Sequence, residues 1–237
     1  MKVRRTQNLI QTPSATISLT TRQSLYSITM GTLLLAMLVA GVVEESAKVK
    51  VYHFTPTADH YYENPKNWSP EYPGKVIPQH QKIIIQGAVY STYESITVRG
   101  EVEITPGSSL YSFSDNLIIE TQGAVHNRGK IVVKEIENYG ILNNEMTGSI
   151  DILHFHAFKG SKTHNLHTSS LTVAGSLMNQ GEIFNYSDFL VHDQFSNYAH
   201  FHHGANGKLT VNGKEVKGTK APKLYSPITE NHPQVLQ

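Results

Sequence analysis

Histidine is the residue type in this chain best suited to chemistry near neutral pH, and it is abundant: 13 in 237 residues, eight of them between His154 and His203. In a β-strand residues i and i+2 face the same way, so His154 with His156, and His200 with His202, can each offer a same-side imidazole pair to a divalent metal such as zinc or nickel. Strands stacked about 4.8 Å apart could bring further ligands alongside. No local ligand signature such as His-Glu-x-x-His accompanies the pairs, and solvated or stacked surface histidines account for the same pattern. Protonation below the unperturbed value of ~6.5 would make this surface more positive in acid.

Aromatic side chains form a second concentration. Trp68, the one tryptophan, has Tyr61, Tyr62 and Tyr72 close by in sequence. Such a group either roofs an apolar interior or forms a binding platform for sugars. The carboxylates offer less. Asp115, Asp151, Asp188 and Asp193 are isolated, and the last two are separated by strand residues that place them on opposite faces. Glycan-cleaving enzymes need paired carboxylates, and no Gly-x-Ser-x-Gly or phosphate-binding loop is present. With no cysteine there is no thiolate nucleophile, no Cys-based zinc finger and no disulfide framework. The expectation is a protein that binds rather than catalyses.

The elements that must position these residues are short strands. Between Gln79 and Gly218 no 3.6-residue periodicity is sustained, but β-branched and aromatic runs recur: 82–85, 96–98, 102–104, 117–119, 131–133, 171–173 and 209–211. Each ends within a few residues in Gly or Asn. A motif Asn-x-Gly-x-apolar starts at Asn127, Asn138 and Asn179, with a degenerate copy at Asn197, 18 residues after the third. Strand starts are spaced by about 18 to 21 residues or small multiples, the length of one coil of a parallel β-solenoid. The glycine would supply a positive-φ corner and the asparagine a side chain able to stack and hydrogen-bond along the ladder. A Gly/Asn-rich antiparallel β-sandwich is the alternative. The stretch Phe155–Ser170 breaks the rhythm and reads as a projecting loop.

The run Tyr52-His-Phe-Thr-Pro56, Asn64-Pro-Lys-Asn67-Trp68-Ser69-Pro70, Pro73-Gly74, Ile77-Pro78 and Lys82-Ile-Ile-Ile85 resembles the opening of secreted and autotransporter-type β-helix surface proteins. The Asn-x-Gly-x-Ile repeats resemble their rungs, so the likeness spans roughly residues 52–213. It departs at Gln79-His80-Gln81, where many relatives carry an acidic residue before the first strand. The resemblance implies an all-β fold, a short right-handed parallel β-helix with an aromatic N-terminal cap. Trp68 and its tyrosines would then close the first coil, whose ladder edge would otherwise be open.

Residues 1–43 carry Lys2, Arg4, Arg5 and Arg22 as their only charges, and Ile28–Val43 carries none. A basic flank before an apolar stretch is an export signal, short for a spanning helix of ~20 residues, so both cleavage and retention as an anchor remain open. Residues 44–80 then form the cap segment, 81–213 the solenoid and 214–237 a polar tail, partly disordered. Residues 44–237 hold 16 Lys plus Arg against 19 Asp plus Glu, with no basic stripe, which gives nucleic-acid binding no support. The function expected is that of an exported, non-catalytic, adhesin-like and antigenic bacterial protein, secreted or at the cell surface or outer membrane. Its partner would be a host or extracellular protein or glycan, and the membrane would be touched only through an uncleaved N-terminal segment. A carbohydrate-binding or carbohydrate-active β-helix and a periplasmic metal-binding protein are the alternatives.

Overall fold

The computed structural model describes residues 48–57, 59–92 and 95–216, together with the backbone of Leu224–Tyr225. The chain winds into a parallel β-solenoid of about seven coils. One sheet, called sheet A, takes one strand from each coil: Gln81–Ile85, Glu101–Ile104, Ala124–Asn127, Ile141–Asn144, Lys162–Asn165, Glu182–Asn185 and His200–His203, all parallel and in register. The second sheet forks. Its long strands Ser109–Ile119, Lys130–Asn138 and Ser149–Ala157 serve two limbs. Their first halves continue into limb B, through Ser170–Val173, Asp188–Val191 and Lys208–Val211. Their second halves continue into limb C, through Leu177–Asn179 and Phe195–Asn197. Parallel pairing from coil to coil excludes the antiparallel sandwich.

The alternation of apolar and polar residues sends every second side chain inward. Because the strands stack in register, like packs on like. Limb B buries Leu110, Ile131, Ile150, Leu171, Phe189 and Leu209 in one row, and limb C buries Leu117, Ile136, Phe155, Leu177 and Phe195 in another. Sheet A contributes Ile83, Val102, Val125, Leu142, Thr163, Ile183 and Phe201.

Asparagine is the other inward residue. Asn127, Asn144, Asn165 and Asn185 each end a strand of sheet A, and all are fully buried. Asn127 Nδ2 donates to Asn144 Oδ1 at 2.8 Å, Asn144 to Asn165 at 2.9 Å and Asn165 to Asn185 at 2.8 Å. The second amide hydrogens go to the carbonyls of Ser149, Ser170 and Asp188, so the buried amides are satisfied along the ladder. A second row closes each coil at the end of limb C. There Asn179 donates to Asn197 at 2.7 Å, and Asn138, whose register neighbour is Ala157, donates instead to Thr163 Oγ1 at 3.0 Å. The four copies of the Asn-x-Gly motif therefore belong to two corners, Asn127 to one and Asn138, Asn179 and Asn197 to the other.

Two local expectations change. The motif glycines do not supply positive φ; they permit close approach to the preceding coil. A Cβ on Gly140 would lie 2.3 Å from the carbonyl oxygens of both Glu120 and Gly123. The adjacent asparagine then accepts from the glycine N–H, as Asn138 Oδ1 does from Gly140 at 3.0 Å. Phe155–Ser170 is not a loop but a regular part of the solenoid: it ends Ser149–Ala157, forms Lys162–Asn165 and begins Ser170–Val173. After Phe155 its buried positions are Ala157, Ser161, Thr163, Asn165 and Ser169, small or polar residues that hide the alternation from a hydrophobicity pattern.

The first coil is closed as the aromatic cap requires. Lys50–Phe54 extends sheet A in parallel with Gln81–Ile85, and Trp68–Ser69 ends the sheet antiparallel to it. Trp68 packs edge-on against Phe54 at 5.1 Å and Tyr62 at 5.0 Å, and its indole N–H donates to the Tyr62 carbonyl at 2.6 Å. At the other end Lys214–Glu215 pairs antiparallel with Lys208–Val211, and the backbone of Leu224–Tyr225 pairs with Phe195–Asn197. The start of the expected polar tail is thus folded onto the last coil. The expected leader, residues 1–43, and the rest of the tail lie outside the described residues.

Replacing Asn165 by Ala removes, in the interior, the acceptor of one Asn144 amide hydrogen and the amide donor to Asn185 Oδ1. Urea unfolding should show a loss of about 2–5 kcal/mol. Gly140→Ala should destabilise by about 2 kcal/mol or more, since two backbone carbonyls must move. Trp68→Ala should cost about 3–5 kcal/mol. Tyr61→Ala, at a side chain half exposed, should stay within about 0.5 kcal/mol.

Candidate functional site

The outward positions of sheet A form two rows. One runs Lys82, Glu101, Ala124, Ile141, Lys162, Glu182, His200, and the other Ile84, Glu103, His126, Asn143, His164, Phe184, His202. The second row is positioned by the asparagine ladder. His126, Asn143, His164 and Phe184 each immediately precede a ladder residue, so an inward, hydrogen-bonded neighbour fixes the backbone there.

Toward the first coils the face is an ionic network. Lys82 Nζ contacts Glu101 at 2.7 Å and Glu103 at 2.8 Å. Arg128 joins Glu103 at 3.1 Å to Glu145 at 3.0 Å, and His126 Nδ1 meets Glu145 at 3.0 Å. The hydrogen bond from Lys82 holds the Glu103 carboxyl below its ordinary range, with Arg128 and His126 adding to it. Burial pushes Glu145 up, but the hydrogen bonds from His126 and Arg128 outweigh it and hold this carboxyl low as well. Carboxylates kept ionised in this way serve as ion-pair partners, not proton donors.

Toward the last coils the face becomes aromatic. The Nδ1 of His164 lies 2.7 Å from Asn143 Oδ1, and the Asn143 amide lies 3.3 Å from His126 Nδ1, so one chain of contacts links the two regions. The His164 ring stacks on Phe184 at 4.9 Å, Phe184 on His202 at 4.8 Å, and His202 on His200 at 5.7 Å. Stacked in this way, the rings cover part of one another's faces and leave their edges for contact.

The expected metal ligands are arranged as the i, i+2 rule requires within each pair, but the pairs do not meet. His200 and His202 lie on sheet A. His154 and His156 lie on limb C of an earlier coil, where His154 Nδ1 is 2.9 Å from Ser176 Oγ and His156 Nδ1 is 3.4 Å from Glu135. A single zinc or nickel centre built from all four is therefore ruled out by topology. Among the described residues no group of three or more His, Cys, Asp or Glu is placed to hold a metal ion. Of the expected aromatic platform, Tyr62 and Trp68 are buried in the cap, Tyr72 packs against them, and Tyr61 alone stands exposed. The rings of Tyr62 and Trp68 are thus closed to a sugar. Exposed aromatic surface lies elsewhere, at Phe113 and Tyr198 and in the stacked pair Tyr90 and Tyr111 at 5.0 Å.

Sequence reasoning missed Phe184, Asn143, His126 and the Arg128 network. The signal was present as the residue before each ladder asparagine. It was obscured because Asn144, Asn165 and Asn185 lack the following glycine that made the other copies visible. Compared with known proteins, the chain matches no protein family, curated protein or solved structure.

Burial, reinforced by Lys162 and opposed by Glu182, lowers the affinity of His164 for a proton. Burial does the same to His203, against a backbone hydrogen bond with Gly207. Unfolded histidine takes up its proton as pH falls through about 6.5, before these two do in the native state, so their contribution is full above that pH and is lost below it. Glu103 and Glu145 add a second loss below their ordinary value of about 4.5. The melting temperature should therefore fall in two stages on acidification, and replacing both His164 and His203 by Asn should remove the first. A profile that stays flat between about pH 7.5 and 5 contradicts this assignment.

Proposed function

We propose that this is an exported, non-catalytic, adhesin-like protein, secreted or held at the cell surface, that binds a host or extracellular protein or glycan along the outer face of sheet A. The observation that carries the reading is the continuous outward row Glu103, His126, Asn143, His164, Phe184, His202, whose four middle members each adjoin a residue of the buried hydrogen-bonded ladder. A row of amide, imidazole and phenyl edges on a rigid sheet suits polar, aromatic recognition of an extended partner with little loss of side-chain freedom. On the same face Lys82 pairs with Glu101 and Glu103, and Arg128 with Glu103 and Glu145, ion pairing that favours a binding role for these carboxylates over a hydrolytic one. Export rests on the basic and apolar pattern of residues 1–43.

Protease treatment of intact cells, followed by amino-terminal sequencing of the recovered protein, tests the cellular part. Shaving or release of a chain starting near Val42 is expected, and complete protection inside the cell envelope would overturn it. Binding is tested on immobilised extracellular-matrix proteins and glycans. A Phe184→Ala, His202→Ala double variant should lose tenfold or more in affinity while keeping its melting temperature, a loss of about 1.4 kcal/mol in binding. Unchanged binding would move the contact to another face.

A further inference from the structure

The corner joining sheet A to limb B turns in two lengths. Four residues make it at 105–108, 145–148, 166–169 and 204–207, whereas Gln86–Gly87, Arg128–Gly129 and Tyr186–Ser187 make it with two. The last two of these each lie between two long turns, which leaves a gap on the outside of the corner. At the first of this pair the gap is filled, because Arg128 spans Glu103 and Glu145. At the second, no ion pair among the described residues crosses it. It stays open as a notch of about 480 Å³ lined by His167, Thr168, Tyr186, Ser187, Asp188 and Asn206.

The walls of the notch are held in place. Gly204, in the next coil, has no side chain, and a Cβ there would come within 2.0 Å of Tyr186 Cδ1, so the phenol lies across bare backbone. The His167 ring stands on the side of the preceding coil, 5.7 Å from the phenol between centroids. Thr168 adopts φ 65°, a conformation costly for a β-branched residue, and donates its hydroxyl to the Met146 carbonyl at 2.8 Å. Ser187 donates its hydroxyl to the Ser169 carbonyl at 2.6 Å. By contrast, the Asp188 carboxylate, the Asn206 amide and the Tyr186 hydroxyl engage no partner among the described residues. Lys208, the register neighbour of Asp188, makes no ion pair with it.

We propose that this notch binds one neutral pyranose unit of a glycan. Vicinal hydroxyls donate and accept at adjacent positions, and a carboxylate beside a carboxamide offers the matching acceptors and donors. The phenol supplies apolar surface for the C–H side of the ring, and the volume falls within the range of small-ligand sites. No Lys or Arg lines the notch, so it is not built for an anion, and a lone carboxylate is too few ligands for a metal. The site is separate from the outer face of sheet A and does not depend on export.

Saturation-transfer NMR on the full chain, with the methyl glycosides of glucose, galactose, mannose and N-acetylglucosamine at on the order of 10 mM, tests the assignment. Transfer to at least one is expected, with a dissociation constant on the order of 1 mM for a ligand of this size. Asp188→Asn and Tyr186→Ala should weaken it about tenfold or more. Gly204→Ala should do the same without removing any ligand-contacting group, because its Cβ displaces the phenol. The Phe184→Ala, His202→Ala variant should bind the glycoside normally, which separates this site from the sheet face. No transfer from any glycoside overturns the proposal, as does transfer that survives both Asp188→Asn and Gly204→Ala in variants that melt normally.

Discussion

In-register parallel stacking is the constraint on which the rest of this molecule depends. Each coil hydrogen-bonds its backbone to the coils before and after it, at the ~4.8 Å spacing of a β-ladder. Every side chain therefore sits over its counterpart in the preceding coil. Aliphatic residues satisfy that arrangement by packing. A buried polar residue satisfies it only if it can donate to and accept from a copy of itself, and asparagine does both. The chain from Asn127 through Asn144 and Asn165 to Asn185 is the outcome, with the spare amide hydrogens used on backbone carbonyls of the next corner. Where the row breaks at Ala157, Thr163 supplies the missing acceptor for Asn138.

The same repetition governs the surface. Like charges stacked 4.8 Å apart would repel, and sheet A alternates them instead: Lys82 against Glu101 and Glu103, Arg128 between Glu103 and Glu145. Uncharged rings carry no such penalty, and His164, Phe184 and His202 stack directly. A solenoid must also end, because an unpaired coil exposes a ladder edge. Antiparallel strands do this at both ends: Trp68–Ser69 at the first coil, and Lys214–Glu215 with Leu224–Tyr225 at the last. Corner length is the remaining freedom. Where a short turn falls between long ones the surface becomes concave, and the side chain at that turn decides whether the hollow is filled, as by Arg128, or left open, as at Tyr186.

Much of the architecture was legible in the chain. The β-branched runs, the spacing of the Asn-x-Gly copies and the aromatic group around Trp68 pointed to coils, a ladder and a cap, because each reflects a requirement local to a few residues. Phe155–Ser170 was misleading for an equally physical reason. After Phe155 its inward positions are Ala, Ser, Thr and Asn, of which Thr163 and Asn165 hydrogen-bond to neighbouring coils, so hydrophobic alternation is absent where the structure is regular. The glycine of the motif was visible, but its purpose was not. Its need arises from carbonyls about 20 residues earlier, which only the stacked coils bring to it.

The candidate sites divide along the same line. That His200 and His202 share a face follows from strand geometry and is written in their spacing. That His154 and His156 lie on a different sheet, that Arg128 bridges two carboxylates from other coils, and that Tyr186 rests on Gly204 all depend on how many residues each corner consumes. By itself the amino-acid sequence determined the parallel-coil fold, the inward asparagines and the capping aromatics, since these rest on local backbone and burial preferences repeated along the chain. Only the tertiary structure decided which outward side chains become neighbours, because changing one corner by two residues alters the surface without disturbing the hydrogen-bonded ladder beneath it.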